Sequence, residues 1–266
     1  MLRITTLAVL SLLLLSACDD DDRQVVSIFL EDASPEQQGI IGDALQTATN
    51  QEFPVLDRTD SRYEEVYAYL DAHIRALSIH PATQRRDLYN WDVTVIQDDD
   101  RRSAFTLPGG HIYVYTGMLR FLQTEAELVG LLAHELYYAD SDVAVNELLA
   151  TKQIGGVRLG DLILGNEPDN LPEIVRLIPE LAFSEGDVLN ADRRAIATIC
   201  PMNYRTTGLW NILERSEEAD APVLEWLDIR PTEYETRYDQ LADEMATCDP
   251  GGLENELAYQ MFLNLL

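Results

Sequence analysis

Ala104-Phe105-Thr106-Leu107-Pro108-Gly109-Gly110-His111-Ile112-Tyr113-Val114-Tyr115-Thr116-Gly117-Met118-Leu119, followed by Glu125-Ala126-Glu127-Leu128-Val129-Gly130-Leu131-Leu132-Ala133-His134-Glu135, is the stretch whose reading decides the fold. Ser103 to Leu107 and His111 to Tyr115 are short runs rich in β-branched and aromatic residues, joined by a tight Pro-Gly-Gly connection, and they read as two strands. Thr116-Gly117 closes the second strand, and Met118 to Leu122 is a short helical piece. Thr124-Glu125-Ala126-Glu127 is a capping box, with Thr124 as the cap and Glu127 reaching back. The helix it opens runs to about Ala139 and is apolar nearly all round, which predicts a helix buried inside the domain.

Working outward, Asp92 to Ile96 reads as a third strand, and Asp98 to Arg102 as a polar turn. A helical region from roughly Pro35 to Leu77 begins at the Ser34-Pro35-Glu36 start signal, with Tyr63, Val66, Tyr67, Leu70, Ile74 and Leu77 on one face. Downstream, residues 142 to 165 read as a helix ending in Gly-rich turns at Gly155-Gly156, and Asn166 to Pro172 as a loop. A further helix covers about Leu181 to Thr198, and Pro201, Pro222 and Pro231 punctuate two or three more.

The chain has 266 residues, 46% hydrophobic and 25% charged, enough to bury one sizeable core. Its formal net charge of −28 repels phosphate backbones and excludes nucleic acid as a partner. No G-x-G-x-x-G or P-loop pattern and no G-x-S-x-G elbow is present.

Arg3 and the apolar run Leu7 to Leu15 have the form of a secretory signal and are too short to span a bilayer. Leu15-Ser16-Ala17-Cys18 resembles the lipobox of bacterial lipoproteins, which implies removal of residues 1–17 and lipidation of Cys18. Residues 18–26 are then anchor and acidic tether, and 27–266 the folded domain. The expected location is the cell envelope, facing the periplasm, with Asp19 and Asp20 favouring the inner membrane by the same resemblance. In that oxidising compartment Cys200 and Cys248 most often form one bridge, although spacing alone leaves two buried thiols open.

Inside the buried helix stands His134-Glu135-Leu136-Tyr137-Tyr138. Zinc peptidases use H-E-x-x-H because residues four apart share a helix face, so two imidazoles grip one ion while the glutamate activates its water. Here the fourth position is tyrosine, and a lone His-Glu pair reads as a satisfied core pair. Its context is more specific. The block from Ala104 to Glu135 resembles the HtpX-type, CAAX-prenyl-protease-like and BepA-like zinc metallopeptidases, in the order A-F-x-L-P-G-G, strand, short helix, E-L-x-x-x-L-A-H-E helix. Ala191-Asp192-Arg193 is similar to their E-x-x-A-D-R run, and Arg230-Pro231-Thr232 to Arg237 to their closing segment. The resemblance spans about Tyr67 to Leu241. It implies an α+β fold, mostly helical, with about three strands flanking the His134-Glu135 helix.

Carried over residue by residue, the resemblance assigns His134 as the first metal ligand and Glu135 as the general base. Tyr138 replaces the second ligand, Val188 replaces the third, and Asp192 is implied as a residue behind the ligands. One imidazole does not make a tetrahedral zinc site. Glu185, one turn before Val188, is the best substitute donor. The expectation is therefore no cofactor and a vestigial Glu135.

In such peptidases the strand after Pro-Gly-Gly borders the cleft at the sheet edge and pairs with extended substrate, which implies His111, Tyr113 and Tyr115 as a peptide-binding edge. The bland reading is that Tyr113 and Tyr115 cover core. The functional expectation is a lipid-anchored, zinc-free pseudopeptidase that binds polypeptide segments or envelope proteins. The alternative is an active zinc metalloendopeptidase of envelope proteins with an altered ligand set.

Overall fold

The computed structural model describes residues 33–151, 159–218, 231–248 and 252–266. The signal segment, Cys18, the tether, the Gly155-Gly156 turn and Pro222 lie outside the described residues. No helix among the described residues is long and apolar enough to cross a membrane.

The three strands form where their composition places them: β1 (Asp92–Ile96), β2 (Ala104–Leu107) and β3 (His111–Tyr115). Their order in space is β1-β3-β2, with β1 parallel and β2 antiparallel to β3. The Pro-Gly-Gly link makes the β2–β3 reversal tight because Gly109 and Gly110 both have positive φ, 84° and 95°. Helix α1 (Pro35–Glu52) lies against this link so closely that a Cβ on Gly42 would meet the Pro108 carbonyl oxygen at 1.9 Å.

Side chains alternate between the two faces of the sheet and so enter two separate cores. Val93, Val95, Ala104, Ile112 and Val114 join the core built with α2 (Glu64–Ser78) and α4 (Glu125–Asp140). Phe105, Leu107, Tyr113 and Tyr115 join the one built with α1, α5 (Val143–Ala150), α6 (Leu159–Ile163) and α7 (Leu171–Leu177). Helix α3 (Thr116–Phe121) leads from β3 to α4. Helices α8 (Glu185–Ile199), α9 (Gly208–Glu218), α10 (Pro231–Thr247) and α11 (Glu256–Leu263) complete the shell, α8 and α9 packing directly on α4. The fold is α+β, mostly helical with a small mixed sheet beside the His-Glu helix.

Helix α4 is buried along nearly its whole length, as its all-round apolar character predicts. Thr124 caps it by accepting the Glu127 N–H at 3.2 Å. Glu127 does not close the reciprocal bond of a capping box: its carboxylate takes the N–H of Gln123 at 2.7 Å and pairs with Arg215. Glu125 accepts the hydroxyls of Tyr69 and Tyr204 and the amide of Asn255, tying α2 and the C-terminal segment to the start of α4. Cys200 and Cys248 are joined by a disulfide, with Cα atoms 5.6 Å apart.

Several boundaries differ from the sequence reading. The first helical region is two helices separated at Phe53 to Asp60, and α7 starts at Leu171, inside the end of the expected loop, and runs on through residues 173–177, for which the sequence reading gives no element. Helix α8 starts at Glu185, capped by Ser184, and not at Leu181. The expected peptide-binding edge is overturned. β3 is the central strand, paired on both sides, and so has no free main-chain edge. Tyr113 and Tyr115 are core, Tyr113 stacking on Phe105 at 4.9 Å. His111 is also buried, with Nδ1 on Asp92 at 2.9 Å and Nε2 on Asp43 at 3.1 Å. Burial opposes its charge, but the two carboxylates more than offset that and raise its pKa.

Candidate functional site

His134 sits in the third turn of α4 with 1% of its surface exposed, facing α8. Its Nδ1 is 2.9 Å from Oδ1 of Asp192, which is fully buried on α8. Burial would raise the Asp192 pKa, yet Arg237 and His134 hold it below the usual carboxylate range, so it is an ionised acceptor. Arg237, from α10, grips Asp192 through both Nε and Nη2 and lies 5.5 Å over the Trp210 ring. An ionised acceptor at Asp192 requires Nδ1 of His134 to carry the proton. Burial lowers the His134 pKa, so the ring is neutral at pH 7 and Nε2 is an acceptor.

Tyr138 supplies the donor. Its hydroxyl is 3.1 Å from His134 Nε2, and the two rings meet edge to face. Burial lifts the Tyr138 pKa well above 10, so the group is a phenol. The imidazole lone pair that would face a metal accepts a phenolic proton instead. On its other side Tyr138 stacks against Phe183, with ring centroids 4.0 Å apart and planes 13° from parallel.

Glu135 is buried with 3% of its surface exposed, and its Oε2 accepts the Thr106 hydroxyl from β2 at 2.6 Å. Burial pushes its pKa up to about 7. It borders a void of about 20 Å³, room for a single water, whose walls include Ala104, Thr106, Pro179 and Phe183.

The residues do not fit the zinc ion that an H-E-x-x-H helix implies. Val188, which the resemblance puts at the third ligand position, is one turn before Asp192 on the same face of α8 and offers no donor atom. Glu185 is exposed as the first residue of α8, about 10 Å along the axis from Asp192. Of the other nearby acids, Asp187 accepts the Ser184 hydroxyl, and Asp140 accepts the N–H groups of Gln84 and Arg85. Among the described residues no three His, Cys, Asp or Glu side chains are grouped to hold a metal.

Of the residues the sequence reading groups, His134, Tyr138 and Asp192 are in direct contact, Glu135 turns to Thr106, and Val188 lies one turn before Asp192 on α8. Three participants were not singled out. Arg237 lay within the closing segment of the resemblance without a role, and Thr106 carried no signal. Phe183 had one faint mark: an apolar residue just before the Ser184 cap, five positions from Val188, which is hydrophobic-staple spacing.

The fold is consistent with a metallopeptidase-like domain, and comparison with known proteins supports that class. Residues 64–156 match the profile of Peptidase family M48. A stretch of 60 residues is 35% identical to the mitochondrial metalloendopeptidase OMA1 of Arabidopsis thaliana. It covers 23% of this chain and 12% of that protein, so the likeness reaches only a small part of the relative's length.

Proposed function

We propose that this protein is a lipid-anchored envelope member of the metallopeptidase lineage that binds no zinc, cleaves no peptide and serves by holding polypeptide segments. One observation carries the reading: the lone pair of His134 Nε2 is engaged by the Tyr138 hydroxyl at 3.1 Å. A metal would have to displace that proton and would then find one protein ligand where a tight site needs three or four. Without an activated water, Glu135 has a structural partner in Thr106 and no nucleophile to deprotonate.

Among the described residues β2 is paired with another strand only on its β3 side, and edge pairing of an extended segment needs no metal. The lipobox-like Leu15-Ser16-Ala17-Cys18 supports attachment to the membrane through acyl chains.

The test uses the full-length chain in detergent. After gel filtration it is assayed for zinc by mass spectrometry and for cleavage of unfolded casein. The expected result is substoichiometric zinc and no cleavage. Equimolar zinc with chelator-sensitive cleavage would overturn the proposal and establish an active peptidase with an altered ligand set. Incorporation of labelled palmitate, lost in Cys18→Ser, tests the anchor, and fractionation of the labelled protein tests the inner-membrane assignment.

A further inference from the structure

The outer edge of β2 is already covered by the chain itself. The Tyr115 N–H bonds to the Ser103 carbonyl, so Ser103, Phe105 and Leu107 direct their main-chain groups at β3. Ala104 and Thr106 direct theirs the other way, toward the segment that leads from Pro179 to Phe183 and walls the small void beside Glu135. The backbone is extended at Leu181 and Ser184, and among the described residues no main-chain hydrogen bond joins Ala182 or Phe183 to β2. Phe183 anchors the segment by stacking on Tyr138. That contact belongs to a small aromatic cluster with Ala144 and Ala191, separate from the two main cores. Leu181 packs on the second core and Ser184 caps α8, so Ala182 and Phe183 lie between two fixed points.

We propose that Ala182–Phe183 is a resident occupant of the β2 groove, displaced by an extended polypeptide that lays an aromatic side chain on Tyr138 and pairs its main chain with Ala104 and Thr106. This rests on the polypeptide-binding reading above and adds its selectivity and its control. The segment makes the stacking contact without the edge bonds, whereas an incoming strand makes both, and that difference drives the exchange. The favoured ligand is an unfolded or extended segment bearing Phe, Tyr or Trp. Withdrawal of Phe183 is the step that admits it.

The probe is a fluorescein-labelled unstructured peptide of Ser, Thr and Val with one central Phe, and its counterpart with Ala in that place. Binding to the full-length chain is followed by fluorescence anisotropy. Phe183→Ala should bind the Phe peptide about tenfold more tightly than the wild type does, with the Ala peptide gaining far less. Equal affinities in wild type and variant would overturn the occupant while leaving polypeptide binding intact. Binding by neither would remove both. Should Phe183→Ala fail to fold by circular dichroism, hydrogen exchange on the wild type decides. Saturating Phe peptide should slow exchange at Ala104 and Thr106 and speed it at Ala182 and Phe183, and no change at either pair would refute the exchange. Zinc content of the same samples reports separately on the metal-free reading.

Discussion

Tyr138 and His134, one helical turn apart on α4, meet hydroxyl to Nε2 at 3.1 Å, with the ring planes at 83°. The relationship occupies the spot where a second imidazole would complete a metal-binding pair, and it closes a relay of Arg237, Asp192, His134 and Tyr138 in which every proton position is determined by its neighbours. Long-range nitrogen–proton NMR should therefore find His134 neutral at pH 7 with its proton on Nδ1. Tyr138→Phe should leave Nε2 as a buried acceptor without its donor and cost about 1–3 kcal/mol of unfolding free energy in urea titrations. A cost near zero would mean the bond is not formed in solution.

Glu135 ties stability to pH in the opposite sense from a paired surface carboxylate. Its pKa is about 7 in the folded chain against 4.5 for the free side chain, so between those values the folded state keeps a proton the unfolded chain has released. Its contribution is whole below pH 4.5 and is lost as pH rises through about 7. Glu135→Gln should gain about 3 kcal/mol over wild type at about pH 8 and little at pH 4.5. The measurement is denaturant unfolding of both proteins at the two pH values, and a pH-independent difference would contradict the burial argument.

Asp192 and Arg237 are a buried charge pair, 0% and 7% exposed. Removing one partner strands the other, so Asp192→Ala and Arg237→Ala should each cost about 3–5 kcal/mol. The double variant should cost clearly less than the sum, because neither charge is then left behind. Additive losses would mean that the two act separately.

The Cys200–Cys248 bridge closes a loop with a sequence separation of 48. Loop-closure entropy predicts a stabilisation of up to about 4 kcal/mol. Unfolding with and without reductant, with Cys200→Ser as a reference, should bring wild type down to the level of the variant. Indifference to reductant would place the two thiols apart.

Restoring the lost ligands tests the placement of α8 against α4. Tyr138→His with Val188→Glu should take up zinc in equimolar amount, because Tyr138 is one turn after His134 on α4 and Val188 is one turn before Asp192, the α8 residue that pairs with His134. A variant still helical by circular dichroism that captures no metal would count against that placement.

Strand identity was legible because β-branched and aromatic residues, bounded by the Pro-Gly-Gly turn and the Asp98–Arg102 turn, leave little else for the chain to do. Helix α4 announced itself through its cap and its all-round apolar surface. Helix α7 has only a weak mark in the sequence, Pro172 near its start, a common first-turn residue, at the end of a run that reads as loop. Whether Tyr113 and Tyr115 form the peptide edge that the resemblance implies or cover core is not legible in the sequence, because a strand's local sequence does not say how many neighbours it has.

The resemblance implies that Val188 stands at the third ligand position; local chemistry alone was enough to place three strands and a buried His-Glu helix, and to reveal a phenol where an H-E-x-x-H helix has its second imidazole. Those are properties of side-chain identity and of spacing along a helix, which survive without knowing what lies opposite. Which strand is central, what grips Asp192 from α10, and that Phe183 covers Tyr138 depend on packing between segments far apart in the chain. Such contacts form only when two distant surfaces are brought together in the folded core, and no periodicity in either one encodes its partner.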